Sequence, residues 1–393
     1  MQNFDFDKIT PRRHTNSYKW DTTATGDDVI PMWVADMDFT TAPCIIDALR
    51  RRVDHGVFGY TAVPQEYYEA ITAWFSRRHQ WAIDPSHIIY TTGVVPALSA
   101  VIKGLTRPGD KVIVQTPAYN CFFSSIRNNH CELSENPLAY DPADGSYTMD
   151  FDDLELRASD PRATLMLLCN PHNPAGRVWT PGELRRVGEI CRRHNVTVVS
   201  DEIHCELTYN GRDYTPYATV DATLGSKCVV CVSPSKAFNT AGLQIANIVC
   251  ADPAMRAAID RAINDNEVCD VNPFGVVGLM AAYNEGAPWL DALRAYLWDN
   301  YITARSFFET HLSRLTVTPL EGTYLMWVNI SSTGIASDRL CAILEAEGHV
   351  RLSPGTIYQG HGRDFIRINL ACPRSLLLEG LARIHKTLST VRS

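Results

Sequence analysis

Between residues 88 and 250 the chain repeatedly interrupts helix-type patterns with short apolar runs rich in β-branched residues. Ile88-Ile-Tyr-Thr-Thr92, Lys111-Val-Ile-Val-Gln115, Thr164-Leu-Met-Leu-Leu-Cys169, Val196-Thr-Val-Val-Ser200 and the runs over 228–232 and 245–250 are all too short for helices. Strands that are apolar almost throughout are covered on both faces, as in a parallel sheet flanked by helices. Helical patterns fall between them. One runs from about Pro96 to Leu105. Another runs from Pro181 to His194, with Thr180 as N-cap, Pro181 at the first helical position and Glu183 at the third. The alternation predicts an α/β fold with a mostly parallel central sheet. After Asp252 the texture changes. Residues 253–285 read as helical, and Trp289 to about Arg314 as a long connecting helix. A smaller α+β pattern follows, with strands at Tyr324–Ile330 and Phe365–Leu370 and a helix over 337–347. A chain of 393 residues accommodates about two domains. The expected division is a large domain over 50–290 and a small α+β domain made of 1–49 plus 291–393.

Open α/β sheets bind ligands beyond the C-terminal ends of their strands. Asp201 ends the run Val-Val-Ser-Asp201, and Lys236 follows the run 228–232 in Ser233-Pro-Ser-Lys236. Either residue alone reads as an ordinary strand-end aspartate or surface lysine. Together they read as a pair for pyridoxal 5′-phosphate. The lysine can bond the cofactor covalently, and the carboxylate can keep the pyridinium nitrogen protonated so that the ring accepts electrons. Gly93-Val94-Val95 joins a strand to a helix, and the backbone N–H groups of such a helix start suit a phosphate.

The spacing of Asn170-Pro-His-Asn173-Pro-Ala-Gly176-Arg, Asp201-Glu-Ile-His204, Ser-Pro-Ser-Lys236 and Arg367-Ile-Asn-Leu-Ala resembles that of the fold-type I pyridoxal-phosphate enzymes, the aspartate aminotransferase superfamily. Trp33-Val-Ala-Asp-Met-Asp-Phe39, Phe58-Gly-Tyr-Thr61, Lys236-Ala-Phe-Asn-Thr-Ala-Gly-Leu243 and Phe365-Ile-Arg-Ile-Asn-Leu-Ala-Cys-Pro-Arg374 are similar to the cystathionine β-lyases of the MalY/PatB type, a C–S lyase branch. The resemblance spans nearly the whole chain. It implies that Lys236 and Asp201 are catalytic and that Tyr119 stacks on the cofactor ring. It implies that Asn173 bonds the ring O3′, with His204 in contact where aminotransferases carry a tyrosine, and Asn170 as the weaker asparagine. Ser233 would join Gly93, Val94 and Val95 at the phosphate. Gln244 stands where many relatives have arginine, which leaves one phosphate charge less compensated. Tyr60 would reach the phosphate and substrate of a neighbouring subunit in a homodimer with shared sites. Arg367 would clamp the substrate α-carboxylate, since its planar fork matches a carboxylate, and Ala35 would line the substrate entrance. The implied activity is β-elimination from a small sulfur amino acid, L-cystathionine or L-cysteine. Transamination shares nearly all these residues and stays open, as does a regulatory protein that senses cofactor or substrate.

Other classes fall away. A formal net charge of -8 does not suit a nucleic-acid binder. No apolar run approaches a membrane span and the first residues lack an apolar signal core, so a cytoplasmic protein is expected. The chain carries 12 cysteines, and Cys228 and Cys231 form a C-x-x-C. On a strand, residues three apart face opposite sides, so the two are core thiols and no metal site is read. Gly355, Gly360 and Gly362 precede no helical pattern and are not a phosphate loop.

Overall fold

A computed structural model describes residues 4–22, 26, 28–209, 211–265, 267 and 270–390. Its centre is a seven-stranded sheet formed, in chain order, by β1 (Ile88–Thr91), β2 (Lys111–Thr116), β3 (Glu132–Pro137), β4 (Ala163–Cys169), β5 (Thr197–Asp201), β6 (Val229–Val232) and β7 (Ala246–Cys250). The strand order is β1-β7-β6-β5-β4-β2-β3. All pairings are parallel except the two made by β7.

Side-chain alternation explains the unbroken apolar runs. Ile113, Met166, Leu168, Val198 and Val230 join one core layer, while Val112, Val114, Leu165, Val199 and Val229 join the other. The two cysteines of the C-x-x-C separate in the same way, Cys228 into the first layer and Cys231 into the second. The described cysteines are free thiols, and most are buried.

The helix Pro181–Arg193 begins as its sequence predicts. The Thr180 hydroxyl accepts from the Glu183 N–H at 3.2 Å, and the Glu183 carboxylate accepts from the Thr180 N–H at 2.8 Å. Other limits differ. The helix after β1 is Val94–Leu105, so Val94 and Val95 belong to its first turn. The region expected to be helical over 253–285 contains two helices, Pro253–Asn264 and Pro273–Glu285. The second starts afresh because Asn272 caps it and Pro273 supplies no N–H to continue a ladder. Further helices, Pro43–His55, Gln65–His79 and Arg374–Thr390, pack around these elements.

A second, four-stranded antiparallel sheet has the order β8-β9-β11-β10, with β8 (Thr316–Val317), β9 (Leu325–Asn329), β10 (Ser353–Pro354) and β11 (Phe365–Asn369). Ile30–Pro31 pairs in parallel with Val350–Arg351 and ties the first stretch of chain to this part. The expected divisions at 49/50 and 290/291 fall inside the helices Pro43–His55 and Ala287–His311.

Candidate functional site

Four parallel strands deliver their following residues to one edge of the large sheet. β2 leads to Tyr119, β4 to Asn170–Asn173, β5 ends on Asp201, and β6 leads to Ser233–Lys236. Cys169, Asp201 and Cys231 are paired in register across β4, β5 and β6. β7 runs the other way, so its preceding residues Gln244 and Ile245 arrive at the same edge. Here the chain encloses a cavity of about 190 Å³. Ala35, Gly93, Val94, Val95, Tyr119, Asn173, Asp201, His204, Lys236 and Gln244 all contribute to its wall.

Burial dominates the electrostatics. The Asp201 carboxylate accepts one backbone N–H, from Ile203 at 3.1 Å, and burial pushes its pKa up to about 7 against that bond and against Lys236. Lys236 is pulled down to about 8, first by burial and then by Arg367, with Asp36 and Asp201 acting in the opposite sense. Its Nζ donates to the Ala35 carbonyl at 2.6 Å. A lysine held near neutrality can shed and regain a proton at physiological pH, as a general base must. His204 lies well below its usual pKa because of burial, Lys236 and Arg367. The same surroundings bias the imidazole toward its neutral form. Burial, reinforced by Cys121, holds the Tyr119 phenol above its usual range.

Arg367 is buried on β11. It donates to Asn173 Oδ1 at 3.2 Å and to the Trp33 carbonyl at 2.7 Å, and it stacks over Tyr358 with 4.9 Å to the ring centroid. Among the described residues its Nε has no hydrogen-bond partner, and neither does the Nδ1 of His204. Gly93 caps the helix Val94–Leu105 without any side-chain bond, so the first N–H groups of that helix are left for another acceptor. Arg367 is not on the cavity wall and meets it through Asn173. An underpartnered buried carboxylate, a depressed lysine, an uncapped helix start and the orphaned His204 nitrogen around one cavity fit pyridoxal phosphate. Asp201 would take the ring nitrogen, Lys236 the aldehyde carbon, and the helix start the phosphate.

Three expectations look different in the structure. The Ser233 hydroxyl is not on the cavity wall, because it donates to the Ile245 carbonyl at 2.8 Å; Ser235 lines the cavity instead. The turn after β6 decides which hydroxyl faces the cavity. Tyr60 is 98 % exposed and touches nothing in its own chain's cavity. Asn170 faces away from the cavity and bonds the Thr215 carbonyl at 3.0 Å and Glu202 at 3.3 Å. One cluster of metal-type ligands exists among the described residues, His79, Cys205 and Glu206, whose ligand atoms lie within 4.8 Å of one another. The Glu206 carboxylate is already taken by Trp74, Arg78 and His79. No described helix is long and apolar enough to cross a membrane.

The model of the family "Aminotransferase class I and II" matches residues 27–384. A curated relative from Bacillus subtilis (strain 168), named "Cystathionine beta-lyase PatB", is 41 % identical over 390 residues, covering 98 % of this chain and 100 % of the relative. The structure of a pyridoxal-phosphate-bound putative aminotransferase from Clostridium difficile 630 superposes with a TM-score of 0.95 at 40 % identity, covering 98 % of this chain and 100 % of that one. The pyridoxal-phosphate-bound C–S lyase from Staphylococcus hominis gives a TM-score of 0.91 at 32 % identity, covering 98 % of this chain and 99 % of that one.

Proposed function

The chain belongs to the aminotransferase class I and II family, and from that membership we propose a pyridoxal-phosphate-dependent carbon–sulfur β-lyase that cleaves L-cystathionine and related thiol amino acids. The observation that carries the reading is the 41 % identity, over essentially the full length of both chains, to a protein named as a cystathionine β-lyase. The cavity agrees with it chemically.

Pyridoxal phosphate, when bound, supplies the electron sink for charge released at Cα. This chain's residues do the rest. Arg367 holds the substrate α-carboxylate through its unpartnered Nε and the fork that now rests on Asn173 and the Trp33 carbonyl. Lys236 takes the Cα proton at Nζ. Asp201 holds a proton at the cofactor's ring nitrogen, and the neutral His204 offers a donor without adding charge. The Cβ–S bond then breaks and the thiol leaves with a proton. The three-carbon enamine that remains takes up water and yields pyruvate and ammonia.

Elimination consumes no second substrate. The expected result is sustained release of pyruvate and ammonia from L-cystathionine with no keto acid present. One turnover that stalls and resumes only on adding a keto acid identifies an aminotransferase instead.

The active form is a homodimer, with Tyr60 completing the phosphate end of its partner's cavity. What supports this is an aromatic side chain left 98 % exposed and a cavity wall on which Gln244 replaces the expected arginine. Mixing inactive Tyr60→Ala and Lys236→Ala proteins is expected to regain up to about a quarter of wild-type activity, because random pairing makes half the dimers hybrid and each hybrid has one intact site. A mixture as inactive as its components rules out the shared site. The division into 50–290 and 1–49 plus 291–393 belongs to the same reading.

A further inference from the structure

A strap of chain, Trp33–Phe39, crosses the site, and its backbone takes both of the site's cations. The Trp33 carbonyl accepts from Arg367 Nη2 at 2.7 Å, and the Ala35 carbonyl accepts from Lys236 Nζ at 2.6 Å. The strap is anchored from several sides. Asn369 Nδ2 donates to the Val34 and Asp36 carbonyls at 2.7 and 2.6 Å. Asn239 Nδ2 donates to the Met37 and Phe39 carbonyls at 3.0 Å. Asp38, itself buried, accepts from Lys19 Nζ at 2.7 Å, Arg12 Nη1 at 2.8 Å and Trp20 Nε1 at 2.7 Å.

The Ala35 carbonyl has one further donor, the Tyr324 hydroxyl at 3.0 Å. Tyr324 is 1 % exposed and follows Thr323, whose φ is 69°. A β-branched residue in the left-handed region is strained, and such strain persists only where the surroundings over-determine it. Here they do. The Thr323 N–H donates to the Leu207 carbonyl at 2.8 Å, and its hydroxyl accepts from the Leu325 N–H at 3.1 Å. Gly322 passes so close to Pro171 that a Cβ would come within 2.9 Å of it. The pinned backbone aims the Tyr324 ring past His204, 6.1 Å away between centroids, toward the strap.

We propose that Tyr324 is a positioning residue, whose hydroxyl fixes the Ala35 carbonyl that in turn holds the Lys236 amine. The proposal rests on Lys236 being the cofactor-bearing lysine. A carbonyl oxygen offers two lone pairs, and the phenol occupies one. Without the phenol, Lys236 has that acceptor to itself, and a stronger acceptor favours the charged ammonium. The other groups facing Lys236 are Arg367 from β11, Asp36 from the strap, Asp201 from β5, His204 from the turn after it, and Cys121 from the helix Asn120–Asn128. Tyr324→Phe leaves all of them in place.

The test compares Tyr324→Phe with Tyr301→Phe, a second buried hydroxyl, which accepts from the Leu320 N–H at 3.2 Å. In cofactor-free protein, the pH dependence of Lys236 acylation by an amine-directed reagent is followed on the Lys236 peptide by mass spectrometry. The midpoint is expected to rise by about half a pH unit in Tyr324→Phe, a fraction of one hydrogen bond, and to stay unchanged in Tyr301→Phe. In the loaded enzyme, kcat is expected to fall about tenfold with little change in KM. An unchanged or lowered midpoint in Tyr324→Phe, or an equal rise in Tyr301→Phe, overturns the proposal. Failure of the underlying reading shows separately, as borohydride fixing the cofactor to a different lysine.

Discussion

Lys236→Ala is expected to give a folded protein that no longer retains its cofactor covalently and turns over at least about 10⁴-fold more slowly. The size of the effect follows from the two tasks this amine performs. It anchors the cofactor, and it moves the Cα proton with a pKa brought to about 8 by burial and by Arg367. No second lysine contributes to the cavity wall among the described residues. The check is kcat on L-cystathionine, together with the mass of the borohydride-reduced protein. A mutant that keeps more than a hundredth of wild-type turnover, or that still gains the cofactor's mass on reduction, contradicts the assignment. Added small primary amines should restore part of the rate, because they replace the proton-transfer group without restoring the tether.

Asp201→Asn is expected to move activity and stability in opposite directions. Turnover should drop at least a hundredfold, since the amide cannot hold a proton at the cofactor's ring nitrogen. The cofactor-free protein should gain stability at pH 8. The sign follows from linkage. The folded carboxyl titrates at about 7 against 3.8 as its reference. Between those values the folded state binds more protons than the unfolded one. Stability therefore falls as pH rises through the window, and the full cost is present above it. Removing that cost is worth on the order of 4 kcal/mol. Melting of the cofactor-free proteins from pH 4 to pH 9 is the measurement. Wild type should lose stability across the window relative to the mutant, and parallel curves would mean that Asp201 is not a strained carboxylate. Pyridoxal phosphate should stabilise wild type much more than it stabilises Asp201→Asn.

The parts of this site that could be read directly were those governed by local rules. Asp201 and Lys236 could be placed because the runs before them are apolar on both faces, which marks central strands, and central parallel strands deliver their next residues to one edge. The start at Thr180 was legible because a capping box is written within four residues. Other features depended on contacts between residues far apart in sequence. Ser233 turns away from the cavity because the Ile245 carbonyl, just before the antiparallel β7, claims its hydroxyl. The low pKa of His204 is set by burial together with Lys236 and Arg367, the latter 163 residues away in the sequence. Tyr324 sits in an apolar strand sequence that reads as plain core. Only the strap folding back from residue 35 gives its hydroxyl a task. The second helix after Asp252 is also written locally, since Asn272-Pro273 is itself a start signal.

The burial of the thiols bears on how such an enzyme survives its own chemistry. A carbon–sulfur lyase releases thiols, and once oxygen oxidises these to disulfides they exchange with any accessible thiolate. Exchange needs the deprotonated sulfur and a path to it. Cys169, Cys205 and Cys231 are shut into the layers on either side of the sheet, and burial raises each of them well above an ordinary thiol. Cys191 and Cys372 are pushed up to about 12 by the same burial. Cys169 also borders the cavity, so there the raised pKa alone holds the sulfur protonated; the others are shielded by packing as well. The same packing that seats the strands also insulates the catalyst from its product.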